Sequence, residues 1–290
     1  MQIKKGDIVG RISYGKDILF IVEQIIKSNT AVPIVILKGI THRIVADAPL
    51  NDLEIINRTR IVNSIKSLDF RLENRINKLH PHSKKNIFKR TFSINNQKII
   101  QTGTILHLDG DKKYSEKSAK YYKKMGLNAI VKNIPEYKQS SIVISLLNKY
   151  NPDILVITGH DGMIKHGSNY NDIYNYRNSK YFIDTVKQAR LWNKSEYDLV
   201  IFAGACQSFF EAIMEAGANF ASSPARILID FMDPLIVAEK IATTENYKYI
   251  SINDIAHELR DGIKGIGGSR IPREKKYYNY KLVCIFCILY

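Results

Sequence analysis

Apolar residues are spaced differently in successive parts of this chain, and each spacing predicts its own kind of structure. Over residues 1–55 they form short β-branched runs, at positions 8–12, 18–22 and 31–37, separated by Tyr14-Gly15-Lys16-Asp17 and closed by Lys38-Gly39. Strands this short, broken by Gly and Asp, predict a small β region, either a compact barrel or a curled sheet. Over residues 56–102 the period changes. Ile61, Ile65, Leu68, Leu72, Ile76 and Leu79 recur at helical spacing among many basic residues, up to His80-Pro81-His82. This stretch reads as a basic helical linker, exposed to solvent.

From residue 103 to 290 the chain reads as an α/β domain. Largely apolar runs at 104–108, 129–131, 154–157 and 199–202 alternate with helical stretches at 115–125, 140–150, 179–191 and 209–216. Such alternation predicts a mostly parallel sheet with helices on both faces. Reactive groups in these sheets gather at the carboxyl ends of the strands. Two polar clusters lie at such ends: Thr158-Gly159-His160-Asp161-Gly162 and Ala203-Gly204-Ala205-Cys206-Gln207-Ser208. A thiol and an imidazole within hydrogen-bond reach form the minimal unit of nucleophilic acyl transfer, with Cys206 as nucleophile and His160 as base. Because a helix is expected just after Cys206, its free N–H groups should lower the thiol pKa and stabilise an oxyanion.

Composition narrows the picture. The 43 Lys and Arg against 28 Asp and Glu give a formal charge of +15, a field that favours anionic partners. The charges are dispersed, as on a solvated basic surface. The cysteines are Cys206, Cys284 and Cys287, too few for a disulfide framework, so a reducing compartment is expected. The first residues lack the apolar core of a signal peptide, and no run has the length of a membrane span, so a soluble cytoplasmic protein is expected. Cys284 and Cys287 have no second pair or nearby His to complete a zinc site, and residues 109–112 lack the spacing of a phosphate-binding loop. No metal and no cofactor are expected.

His160 precedes Cys206 by 46 residues, and Gly204-Ala205-Cys206 closes an apolar strand. This resembles the caspase–gingipain–clostripain clan of cysteine peptidases, whose caspase members carry the base about 50 residues before the nucleophile. The resemblance implies a caspase-like fold, and it implies that the N–H groups of Gly162 and Cys206 form the oxyanion hole. Asp161 stands between His160 and Gly162, where clan members have His followed directly by Gly. The Lys-Gly-Asp-Ile-Val opening at residues 5–9 resembles SH3-like barrels.

Longer blocks resemble the YabG family of sporulation-specific proteases: Ala46-Asp47-Ala48-Pro49-Leu50, His107-Leu108-Asp109-Gly110-Asp111, residues 158–162, 176–182, 202–208 and 215–224, and Gly265-Ile266-Gly267-Gly268. The resemblance covers nearly the whole chain and stops after Gly268. It implies a cysteine endopeptidase that cleaves spore-coat and other sporulation proteins after Arg or Lys, in the mother cell at the forming-spore surface. Basic specificity calls for an acidic pocket, for which Asp109, Asp111 and Asp161 stand at strand ends, with Ser222 and Ser223 lining the same cleft. Arg177 and Asn178 read as a bridge from the active-site loop to its helix.

Two other readings compete. The basic N-terminal region could serve as a nucleic-acid- or protein-binding module, although aromatics are not interleaved there as a stacking platform requires. An amidohydrolase with Cys206 in a Gly-x-Cys-x-Ser elbow would need a histidine downstream, and that residue is His257.

Overall fold

The computed structural model describes residues 2–26, 32–79, 102–164, 169–195, 198–244, 249–268 and 271–272. Cys284, Cys287 and the end of the basic segment, His80-Pro81-His82 included, lie outside the described residues.

The N-terminal region is an antiparallel sheet of β1 (Ile8–Arg11), β2 (Phe20–Ile26), β3 (Ile34–Gly39), β4 (Val45–Pro49) and β5 (Leu53–Ile55), in the order β4-β3-β2-β1-β5. Period-two alternation turns Val9, Phe20, Val22, Val35 and Leu37 to one face. That face packs on Ile44, Ile229 and Cys206, so the apolar side of the small sheet closes onto the segment carrying the thiol. β4 and β5 lie at opposite edges and do not pair, so the hydrogen-bonded ladder does not close into a ring. β4 is hidden in the sequence by Asp47 and Pro49. Its Pro sits at the sheet edge, where the missing N–H costs nothing.

The second sheet follows the caspase-like α/β expectation. Strands β6 (Ile105–Asp109), β7 (Ala129–Asn133), β8 (Ile154–Thr158), β9 (Val200–Ala203) and β10 (Phe220–Ser222) are parallel. With the short pair β11 (Tyr249–Ile250) and β13 (Ile271–Pro272) set apart, β12 (Ile266–Gly268) adds antiparallel to β10, giving the order β7-β6-β8-β9-β10-β12. Both faces are covered because both faces are apolar. Ile105, Val156, Phe202 and Phe220 pack toward α1 (Arg58–Leu79), α2 (Lys112–Met125) and, further along the chain, α6 (Asp233–Thr243) and α7 (Ile252–Ile255). Leu106, Leu155, Ile201 and Ala203 pack toward α3 (Glu136–Tyr150), α4 (Ser179–Trp192) and α5 (Phe210–Glu215).

The helix α1 departs from the expected exposed linker. Its Leu68, Leu72 and Ile76 are buried at i, i+4 and i+8 in the same core as Tyr121, Tyr122 and Leu235. Arg75 forks between Asp230 Oδ1 at 2.7 Å and Asp233 Oδ1 at 2.8 Å and also donates to the Glu258 carbonyl at 2.6 Å. Lys117 pairs with Asp69 at 2.7 Å and Lys120 with Glu73 at 3.1 Å. Arg75 of the basic segment is therefore held by the chain's own carboxylates, and two lysines of α2 are held by acids of α1.

Leu72→Ala should cost about 2–5 kcal/mol in urea unfolding, as truncation in a closed core does. A loss below about 0.5 kcal/mol, as for a surface residue, would return α1 to the role of a solvated linker.

Candidate active site

β8 and β9 are adjacent and parallel, with Ile157 opposite Ala203. His160 and Cys206 each lie three residues beyond that pair, so the register brings them out at equivalent positions on neighbouring strand ends. Sharp turns shape the thiol loop: Gly204 has φ 113°, and Gln207, which follows Cys206, has φ 54°. The Gln207 N–H is anchored by the Ile227 carbonyl and by Ser223 Oγ, each at 3.1 Å.

His160 is fully buried. Its Nε2 lies 3.1 Å from the Gly39 carbonyl, and a carbonyl only accepts, so Nε2 carries the proton. Nδ1 is left as a buried lone pair with no hydrogen-bond partner. Burial, aided by the Lys38 charge, lowers the ring pKa to about 4, which keeps the imidazole neutral at pH 7. The loop is held from behind by Glu136 at the start of α3, which accepts the His160 N–H at 2.7 Å. Glu136 fills the space beside Gly110 and Gly159, where a Cβ would stand 2.2 Å and 2.4 Å from its carboxylate.

Cys206 differs from expectation. Its thiol is pushed up to about 11, with burial as the main cause, and the Ile229 backbone and the Arg43 charge pull the other way. The helix α5 starts only at Phe210, too far along the chain to act on the sulfur as a cap. Sγ lies 4.0 Å from the Ile229 carbonyl and makes no hydrogen bond to His160. Cys206 and His160 thus lie at one mouth of the sheet without a hydrogen bond between them.

Asp161 joins the two loops. Its Oδ1 accepts the N–H groups of Gly162 and Asn178, each at 2.8 Å. Its Oδ2 accepts the hydroxyls of Ser179 and of Ser208 at 2.8 Å. Ser208 Oγ in turn accepts the Ala205 N–H at 2.9 Å, so one carboxylate ties the histidine loop, the start of α4 and the cysteine loop. Burial raises Asp161 to about 6 against these four donors. The Gly162 N–H, expected at an oxyanion hole, is therefore already engaged. The amide directly after His160, that of Asp161, instead donates to the Arg43 carbonyl at 3.2 Å.

The remaining expected residues separate. Asp109 is fully buried and pairs with Arg43 Nη1 at 2.7 Å. Asp111 caps α2, accepting from Lys113 and Tyr114 N–H, and pairs with Lys38 at 3.2 Å. Ser223 supports the thiol loop, accepting from Gln207 N–H and donating to the Ile227 carbonyl at 2.8 Å. Ser222 is buried under Gly204 and its hydroxyl has no hydrogen-bond partner. Asn178 Nδ2 donates to the His160 carbonyl at 2.7 Å, the expected bridge to the start of α4, whereas the Arg177 side chain pairs with Asp47 of β4. His257 is exposed beside Glu258.

Sequence reasoning missed Arg43, Tyr114, Phe231 and His107. Arg43 lies 4.7 Å over the Tyr114 ring and 5.3 Å from that of Phe231. Behind Asp109 runs a buried relay. Tyr122 Oη donates to His107 Nδ1 at 3.1 Å, His107 Nε2 donates to Thr158 Oγ1 at 2.7 Å, and Thr158 donates to Asp109 Oδ2 at 2.8 Å. The period of two that puts His107 and Asp109 on one face of β6 was the available signal. Nothing local to residue 43 gives a comparable one.

The family described as YabG peptidase U57 matches residues 4–276. The chain is 37% identical over 274 residues to a sporulation-specific protease, YabG, of Bacillus subtilis (strain 168), covering 92% of this chain and 94% of the relative. No solved structure matches.

The buried ring predicts a pH effect with a definite sign. With a folded pKa near 4 against an ordinary 6.5, His160 contributes stability that is fully present above about pH 6.5 and lost as pH falls through about 4. Asp161, raised to about 6 from 3.8, contributes in the opposite sense and loses its contribution as pH rises through about 6. Urea unfolding of the parent and His160→Gln between pH 4 and 7 separates the two. The parent's stability relative to the variant should fall as pH drops from 6.5 to 4, whereas a constant difference would mean that the ring is not held neutral.

Proposed function

Because the chain belongs to the YabG peptidase U57 family, we propose that it is a cysteine endopeptidase of sporulation, with Cys206 as nucleophile and His160 as base, acting after Arg or Lys in spore-coat and other sporulation proteins of the mother cell. The observation that carries this reading is the paired emergence of His160 and Cys206 from neighbouring strands, with a buried, unpartnered Nδ1 on the ring.

In this reading Nδ1 takes the Sγ proton, and the thiolate attacks the scissile carbonyl carbon. The Gly39 carbonyl holds the ring through Nε2–H, so only Nδ1 is free for this work. The imidazolium then gives its proton to the amide nitrogen, which leaves as an amine. A water molecule, deprotonated by Nδ1, hydrolyses the thioester and releases the carboxylic acid. The engaged Gly162 N–H favours the Asp161 and Cys206 amides as oxyanion donors. Asp109 supplies the charge for a basic side chain, and Tyr114 and Phe231 supply ring faces for a guanidinium. Contact between Sγ and Nδ1 forms when substrate occupies the cleft, as catalytic hydrogen bonds often tighten only in the complex.

Cys206→Ala and His160→Ala should each lower kcat/KM on casein and on an arginyl fluorogenic peptide by about 10³-fold or more, or about 4 kcal/mol of transition-state stabilisation, with folding retained. A Cys206→Ala chain that cleaves like the parent would end the assignment. Asp109→Asn should raise KM for the arginyl peptide about 10–100-fold relative to a neutral-residue peptide, the loss of one charge-assisted contact.

A further inference from the structure

We propose that the β3–β4 loop, residues 40–44, is an internal occupant of the substrate cleft, with Arg43 seated where the basic residue of a substrate binds, so that the resting chain inhibits itself. The inference rests on the reading of Cys206 and His160 given above.

Arg43 is 1% exposed and Asp109 not at all, and their charges meet at 2.7 Å. The guanidinium lies over Tyr114 and beside Phe231. The Arg43 carbonyl accepts the Asp161 N–H at 3.2 Å, which is where a scissile carbonyl belongs if that amide stabilises the oxyanion. The loop continues alongside the histidine segment, with the Val45 N–H donating to the Asp161 carbonyl at 2.8 Å. Tyr114 Oη donates to the Ile40 carbonyl at 3.2 Å. Gly162 permits this approach, since a Cβ there would stand 2.1 Å from the Val45 carbonyl oxygen.

Space for the rest of a substrate adjoins Arg43. Thr41 and His42 border a cavity of about 400 Å³ lined also by Leu72, Phe231, Leu259 and Arg260, with room for the part of a peptide that precedes its basic residue. Beneath the loop, Cys206 and His160 are closed off from solvent. Arg43 meets Asp109 without the two-pronged fork usual for a buried arginine. Its Nε, Nη1 and Nη2 make no aligned hydrogen bond, so charge and ring faces alone retain it. A structural arginine normally sets its rigid fork against acceptors. An incoming basic side chain that aligns its donors better can therefore displace this one. An internal competitor of this kind raises apparent KM by the ratio of closed to open chain and leaves kcat unchanged.

Binding of benzamidine, measured by calorimetry in the Cys206→Ala background, tests the occupancy without catalysis. Cys206→Ala/Arg43→Ala should bind benzamidine at least 10-fold more tightly than Cys206→Ala alone. On the parent chain, saturating benzamidine should speed hydrogen exchange at the Val45 and Asp161 amides at least 10-fold by expelling the loop, a readout that needs no variant to fold. With an active thiol, Arg43→Ala should lower KM for the arginyl peptide and raise the iodoacetamide alkylation rate of Cys206, each at least 10-fold. Equal benzamidine binding with and without Arg43, or a bound parent whose Val45 and Asp161 amides stay protected, would overturn the internal occupant and leave the peptidase reading standing. Tighter binding without Arg43, together with full cleavage by Cys206→Ala, would uphold the occupant and overturn the choice of nucleophile.

Discussion

A guanidinium and a carboxylate, both withdrawn from water, join the two sheets of this protein. Arg43 comes from the turn after β3 and Asp109 from the end of β6. Removing either partner of such a pair leaves an uncompensated charge, at a typical cost of about 3–5 kcal/mol. The pair therefore fixes where the small sheet sits, and that position decides how the mouth of the large sheet is closed. The Tyr122–His107–Thr158 relay keeps Asp109 aimed at this point. A carboxylate supported this way is prepared for a cation, whether the cation comes from this chain or from outside.

Asp161 plays the corresponding part for the loops. Four donors from four different residues converge on it, so the histidine segment, the thiol segment and the start of α4 move together or not at all. The sequence offered Asp161 as a specificity acid, but burial and full coordination give it a positioning task instead. The residue intervening between His160 and Gly162 engages the Gly162 amide with its side chain, and its own amide donates to the Arg43 carbonyl.

Much of the large sheet was legible because its strands are apolar on both faces and its helices repeat at 3.6 residues. The strand-end positions of His160 and Cys206 followed from that pattern alone. The expectation for α1 failed because charged residues are as numerous as apolar ones along it. Yet three apolar side chains on one stripe, Leu68, Leu72 and Ile76, suffice to bury it. The pKa of Cys206 was misjudged for a different reason. A helix start was visible in the sequence, but the coverage of the thiol by a sheet more than 150 residues earlier in the chain was not. Arg43 is the extreme case, since its meaning depends wholly on a partner 66 positions away.

The most direct test of the central claim is covalent. An arginyl chloromethyl ketone should inactivate the chain in proportion to the label it deposits, and peptide mapping by mass spectrometry should find that label on Cys206. Loss of activity with Cys206 unmodified, or complete modification of Cys206 with activity intact, would contradict the account.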